Sequence, residues 1–217
     1  IKMLTNTLDS AKLLQEGKKG DLKIGYVGSA MQDVIPKLLI KFEKDNPNVL
    51  FDLKELDNKK QIDDLLSLSI DVGFVRLRRI PRDLEIRTVL NEHFCLVLPK
   101  NHPINKSNFT SLLDIKEASF ILFDAKYSAS YHEKVMQIFD DCGFTPIVSH
   151  NTIHSSSIFK LVENNFGISI VPKSLAKKEG YKIKFIELDM IPQKTKLSVV
   201  WNKKNTNSIL QEFLRLM

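Results

Sequence analysis

A chain of 217 residues with 43% hydrophobic content is long enough for two small lobes, each with its own core. The balance of 32 Lys and Arg against 26 Asp and Glu gives a net charge of +6 that is spread along the chain, so direct nucleic-acid contact by this stretch is not expected. No run of about eighteen apolar residues occurs, and the polar start IKMLTNTLDSAKLLQEGKKGDL is unlike a secretory signal, which argues against a membrane span and against export.

Thr7 to Glu16 is polar and helix-favouring, and Gly17 and Gly20 end it with Lys18 and Lys19 in its last turn. It reads as a linker helix. Leu22 to Val27 alternates as a strand and runs into Gly28-Ser29, after which Met31, Val34, Ile35, Leu38, Leu39 and Phe42 mark an amphipathic helix closed by Asn46 and Pro47. Pro36 lies inside that pattern, so the helix is kinked there or its regular part begins there. Val49 to Leu56 is a second strand, Asn58 to Leu68 a second helix with Ile62, Leu65 and Leu66 inward, and Asp71 to Val75 a short buried strand. This alternation predicts a parallel sheet covered by helices. Two strands follow, Leu84 to Leu90 and Phe94 to Leu98, and Pro99 with the loop NHPINKSN marks a boundary.

Beyond the boundary the alternation resumes. A short helix at Ser111 to Ile115 precedes a strand at Phe120 to Phe123, and Ser130 with Glu133 predicts a capping box that opens a helix with Val135, Ile138, Phe139 and Cys142 on one face. A strand at Ile147 to Ser149 and a helix at Ser155 to Asn164 follow. Next come a strand at Ile168 to Val171, a Lys-rich turn at Ser174 to Glu179 and a strand at Ile183 to Leu188. A strand at Leu197 to Trp201 and a helix from Asn207 with Ile209, Leu210 and Phe213 inward have no place in this second lobe, so the chain is expected to cross back to the first. The expected architecture is α/β, with two Rossmann-like lobes joined by two crossover strands. Its divisions are 1–19 for the end of the linker helix, 20–99 with 195–217 for lobe I, and 100–194 for lobe II. Ligands in such sheets bind beyond the carboxyl ends of the strands.

Gly28-Ser29 lies at such an end, where backbone N–H groups, a helix start and a hydroxyl suit an anion such as a carboxylate. The plainer alternative is that Ser29 only caps its own helix. Arg76 directly follows the strand DVGFV and can hold a carboxylate by two hydrogen bonds, or serve as a solvated loop arginine like its neighbours Arg78, Arg79 and Arg82. Catalytic readings find no motif: there is no G-x-S-x-G elbow, phosphate-binding loop or dinucleotide fingerprint. No cofactor is expected. His150 and His154 lack partners for a metal site and read as surface histidines, and His132 reads as solvent-facing near the ligand end of its helix. Cys95 and Cys142 read as free thiols in a reducing compartment.

The segment GDLKIGYVGSAMQDVIPKLLIKFEKDNPNVLFDLKEL resembles the opening of the effector-binding domain of LysR-type transcriptional regulators: a strand, a Gly-Ser step, a helix with an internal I-P and an F-x-x-x-x-P-x-V ending. DVGFVRL, LVLPKNHPI and FGISIVPKS are similar to that family's later blocks, in the same order, so the likeness runs from Gly20 to Met217. The resemblance implies a fold like type II periplasmic binding proteins, a cytoplasmic location, a homodimer or homotetramer, and DNA binding through an N-terminal winged helix-turn-helix that is not in this sequence. GYVGS followed by DVGFVRL is most similar to the branch that answers aromatic acids and their ring-cleavage products. By that likeness the effector-binding residues are Val27, Gly28, Ser29, Asn58, Arg76, Ser128, Ser130 and Tyr131. Asn58 stands where the branch has a hydroxyl residue, and DAKYSAS differs in length and lacks the usual prolines. The implied role is a sensor of a small carboxylate, and the competing reading is a periplasmic-type receptor for a small anion.

Overall fold

The computed structural model describes residues 18–177 and 180–217, so the helix expected over Thr7 to Glu16 lies outside the described residues. In chain order the elements are β1 (Lys19–Tyr26), α1 (Val34–Asp45), β2 (Asn48–Glu55), α2 (Asn58–Leu66), β3 (Val72–Val75), β4 (Leu84–Glu92) and β5 (Phe94–Pro99). They continue with β6 (Ser119–Phe123), α3 (Ala129–Asp141), β7 (Ile147–Thr152), α4 (Ser155–Glu163), β8 (Ser169–Pro172), β9 (Ile183–Glu187), β10 (Thr195–Asn202) and α5 (Ser208–Leu214). Short 3-10 turns stand at Ala30–Gln32, Leu112–Ile115 and Lys173–Lys177. Lys19, placed by the sequence pattern at a helix end, is the first residue of β1.

The chain divides into two compact units, Ile1–Val89 with Leu197–Met217, and Leu90–Lys196. It leaves the first unit within β4 and returns within β10. The division falls at Val89 and not after Pro99, because β5 is the middle strand of the second unit's three-stranded sheet, flanked by β8 and β9.

In the first unit the strand order is β2-β1-β3-β10-β4, with β1 parallel to both β2 and β3 and β10 antiparallel to β3. The carboxyl ends of β2, β1 and β3 therefore share one edge of the sheet. α1 buries Ile35 and Phe42, and the Phe42 ring meets Phe213 of α5 edge-on at 5.4 Å. Pro36 is the third residue of α1, where its missing N–H has no intrahelical acceptor to lose, so the helix begins around it and is not broken by it. α2 faces inward through Asn58, Gln61 and Leu65, while Leu66 is exposed. This corrects the apolar face drawn from periodicity. The helix lies close to the sheet because Gly25 and Gly73 are register partners beneath it. A β-carbon on Gly73 would stand 3.0 Å from Gln61 Oε1, and one on Gly25 would stand 3.1 Å from Gln61 Cγ.

In the second unit β5 is wholly buried because both its faces are covered. Phe94, Leu96 and Leu98 join one cluster with Phe120, Tyr131 and Phe139, while Cys95 and Val97 join another with Ile121, Phe159 and Val171. This alternation is the two-residue period of a strand whose every side chain finds a core. β6 and β7 pair in parallel, and a parallel bridge from Phe120 to Ile168 ties them to β8.

Candidate functional site

The edge shared by β1, β2 and β3 gathers five of the residues singled out from sequence: Val27, Gly28, Ser29, Asn58 and Arg76. The backbone N–H of Val27 donates to the Phe74 carbonyl (3.0 Å), which carries the β1–β3 pairing one residue past the strand and fixes where the chain turns at Gly28-Ser29. Val27 is itself buried. On the neighbouring strand end, the Arg76 Nε donates to Ser29 Oγ at 2.9 Å. The Arg76 backbone N–H donates to Asn58 Oδ1, also at 2.9 Å. Asn58 and Arg76 are each only 5% exposed. Ser29, Asn58 and Arg76 thus lie far apart in sequence yet form one hydrogen-bonded cluster at three adjacent strand ends. A guanidinium largely withdrawn from water and aimed by a serine hydroxyl offers a planar fork suited to a carboxylate.

The turn after β1 differs from expectation. Ser29 is helical in backbone but makes no side-chain capping bond, and it opens only the 3-10 turn Ala30–Gln32. α1 starts at Val34, after Asp33. The hydroxyl of Ser29 is therefore not a helix cap, and the plainer reading of it falls because that oxygen faces Arg76. α2 has the better defined start: the Asp57 side chain accepts from the Lys60 N–H at 2.8 Å.

Two residues at this edge escaped sequence reasoning. Glu55, the last residue of β2, lays its carboxylate over Gly28, so that a β-carbon there would stand 2.7 Å from Glu55 Oε1. Burial first, and the Glu55 charge second, raise the Tyr26 phenol. Gln61 is fully buried, its Nε2 donates to the Leu56 carbonyl (3.0 Å), and its Oε1 has no hydrogen-bond partner. Neither residue announces itself in the sequence, since a charged strand end and a polar helix residue are ordinary surface features.

The remaining predicted residues belong to the second unit. Ser128, buried at 8%, is the N-cap position of α3. It makes no side-chain cap bond, and as the N-cap it stands two residues before Ser130, the N-cap of the predicted Ser130–Glu133 box. Ser130 falls inside the first turn, half-buried. Tyr131 is 3% exposed, packs its ring against Phe94 and Phe123, and donates its hydroxyl to the Ile170 carbonyl. Tyr131 is a core residue of its unit.

Chemistry of other kinds finds little footing. Among the described residues no group of three or more His, Cys, Asp or Glu is placed to hold a metal ion. His150 pairs with Ser149 Oγ at 3.0 Å and leans on Phe166. Both cysteines are free, and burial, followed by the charge of Glu187, pushes the Cys95 thiol up to about 12. Among the described residues no helix is long and apolar enough to cross a membrane.

Residues 15–217 match the model of the LysR substrate binding domain. The chain belongs to that family. As a LysR substrate-binding domain it is similar to AlsR of Bacillus subtilis (strain 168), an HTH-type transcriptional regulator, with 24% identity over 209 residues, 96% of this chain and 69% of AlsR. In structure it is similar to CbnR, a LysR family transcriptional regulator, with a TM-score of 0.88 at 23% identity over 99% of this chain and 74% of that one. It is also similar to the BenM effector binding domain with its effector benzoate, with a TM-score of 0.78 at 24% identity, covering 91% of each chain. These likenesses carry the fold of LysR effector-binding domains, the type II periplasmic-binding-protein class, to this chain. The sequence blocks that resembled LysR regulators lie in β1 through β2, β3, β5 and β8, and all four are elements of the matched domain.

Proposed function

We propose that this LysR substrate-binding domain senses a small organic acid at the carboxyl edge of its first unit, in a regulator that acts on DNA through a winged helix-turn-helix N-terminal to it. The supporting observation is the Ser29–Arg76–Asn58 cluster: Asn58 fixes the Arg76 backbone, Ser29 aims its guanidinium, and both Asn58 and Arg76 are nearly buried. The similar BenM domain has the carboxylate benzoate as its effector, which supports an acid as the ligand here. The working protein is a cytoplasmic homodimer or homotetramer, and it is not an enzyme. The cluster holds no nucleophile paired with a base, and the buried Cys95 thiol stays protonated. The acid acts by binding one arrangement of the subunits better than another.

Titration calorimetry and melting curves with aromatic monocarboxylic and dicarboxylic acids test this reading. An effector at about a hundred times its Kd adds roughly 2.7 kcal/mol of stability. Arg76→Gln removes hydrogen bonds to a charged group, worth about 1.5–3 kcal/mol, and Ser29→Ala about 1 kcal/mol. Acid binding that survives both substitutions unchanged refutes the site.

A further inference from the structure

Gln61 of α2 meets all three strands that carry the edge. Its Nε2 donates to the carbonyl of Leu56, the residue directly after β2, at 3.0 Å. Leu56 is in turn tied to β1, its N–H donating to the Tyr26 carbonyl at 3.0 Å. The Gln61 Oε1 lies over the register pair Gly25 and Gly73, 3.3 and 3.0 Å from where their β-carbons would stand. Ser29 follows Gly25 by four residues, and Arg76 follows Gly73 by three. One turn ahead of Gln61 on α2 stands Asn58, whose Oδ1 accepts the Arg76 N–H at 2.9 Å. The Asp57 cap fixes the first turn of α2 internally, but it does not fix that turn over the strands. The bond to Leu56 does, and so it sets the reach of Asn58 toward Arg76.

This seat has an energetic defect. Gln61 is fully buried, and its Oε1 has no hydrogen-bond partner among the described residues. An apolar side chain of similar size would fill the space without an unpaired buried acceptor, which ordinarily destabilises. Packing alone therefore gives no reason for an amide here, whereas the grip on Leu56 does. We infer that Gln61 is a positioning residue for the acid site: its amide clamps Leu56 and seats α2 over the Gly25–Gly73 pair so that Asn58 meets the Arg76 backbone. The inference rests on the acid-binding reading for its ligand, while the clamp is a property of the chain without one.

The test reads hydrogen exchange at two backbone N–H groups in the ligand-free 217-residue chain at about pH 5. Arg76 N–H donates to Asn58, and Val27 N–H donates to the Phe74 carbonyl without involving α2. Gln61→Met keeps an unbranched side chain but has no donor for Leu56. Gln61→Glu keeps the shape, and burial raises a carboxyl's pKa, so at this pH its O–H replaces the amide donor. Exchange at Arg76 should quicken about tenfold in Gln61→Met, the weight of one hydrogen bond, and stay within about twofold of the parent in Gln61→Glu. Exchange at Val27 should change in neither. Benzoate affinity should follow Arg76 exchange, falling about tenfold in Gln61→Met and recovering in Gln61→Glu. Melting curves show whether the variants fold, and Gln61→Leu, also without a donor, stands in if Gln61→Met does not. If Arg76 exchanges alike in the parent and the donorless variant, if Gln61→Glu behaves like the latter, or if Val27 quickens equally, Gln61 is an ordinary core residue and the inference falls. If the exchange pattern is found but the parent chain binds no aromatic acid, the clamp stands and the acid reading falls.

Discussion

The carboxyl edges of the two units are built on the same plan of parallel strands feeding helices, yet their polar groups are used differently. In the first unit, side chains from three separate segments reach one another: Ser29 Oγ meets Arg76, and Asn58 Oδ1 meets the Arg76 backbone. In the second unit, the loop after β6 folds on itself. Asp124 Oδ1 accepts from the Lys126 N–H at 2.7 Å, and the Asp124 carbonyl accepts from both the Tyr127 and Ser128 N–H groups at 3.1 Å. Tyr131 then turns into the core. One edge presents a cluster assembled by topology, and the other presents a locally closed loop. The lesson is that similarity of fold plan does not make two loop sets chemically equivalent, because a ligand site needs groups that converge from different strands.

The strongest challenge to this contrast is Tyr131→Ala. Removing a buried aromatic ring from between Phe94 and Phe123 should cost about 3–5 kcal/mol in urea unfolding. Tyr131→Phe, which keeps the ring and leaves the Ile170 carbonyl without its donor, should cost about 1–3 kcal/mol. Acid affinity measured in Tyr131→Phe should stay within about threefold of the parent value, a spread below 1.4 kcal/mol. A loss of affinity that outruns the loss of stability would make Tyr131 a ligand contact and erase the difference between the two edges.

Gly73→Ala probes the first edge from beneath. The new β-carbon would lie 3.0 Å from Gln61 Oε1 and 3.1 Å from Leu65 Cδ1, so α2 must lift from the sheet. An overpacked contact of this kind costs about 1–3 kcal/mol. Because α2 begins with Asn58, the lift should also weaken acid binding, which would tie the helix seat to the site. Unchanged affinity in a destabilised Gly73→Ala variant would show that Asn58 holds Arg76 independently of how α2 is seated.

Much of the fold was legible because hydrophobic period and breakers act locally. The terminal helix was placed from Asn207 with Ile209, Leu210 and Phe213 inward, and these three residues are buried with the Asn207 side chain accepting from the Ile209 N–H. The errors were also local in origin. The S-x-x-E pattern at Ser130–Glu133 looks like a capping box, but the helix is already under way at Ala129. The real box sits at Ser111 and Asp114, on a 3-10 turn. A pattern cannot say at which residue the chain bends into the helix, since that is set by the Asp124 loop. In the site, Ser29 and Arg76 were singled out because each stands just beyond a strand, and the structure brings the two into contact. Glu55 and Gln61 were not found, because their positions acquire meaning only when β2 and α2 are laid against β1 and β3. The inward face of α2 was misread for the same reason. Gln61 fits over a glycine pair that the sequence separates by forty-eight positions, from Gly25 to Gly73.

The smallest effect expected concerns that Ser111 box, which precedes β6 in the second unit. Asp114 accepts from the Thr110 N–H, the Ser111 N–H and the Thr110 hydroxyl, and these bonds hold its carboxyl below its ordinary value of 3.8, the Thr110 N–H contributing most. A carboxyl with a lowered folded pKa contributes stability that is present above its unfolded value and is lost as pH falls through the folded value. The bonds form at the surface, so the contribution is small. Melting temperature followed from pH 6 downwards should fall slightly more steeply in the parent than in Asp114→Asn once the pH passes about 4, near the reference carboxylate range. The variant should melt slightly lower at neutral pH and converge with the parent in acid. Acid affinity should be the same in both at pH 7, because a capping device local to one turn has no link to the cluster at Ser29. An affinity change in Asp114→Asn would mean that the second unit's loops are coupled to the first unit's edge, and that treating the two edges as separate chemistries is mistaken.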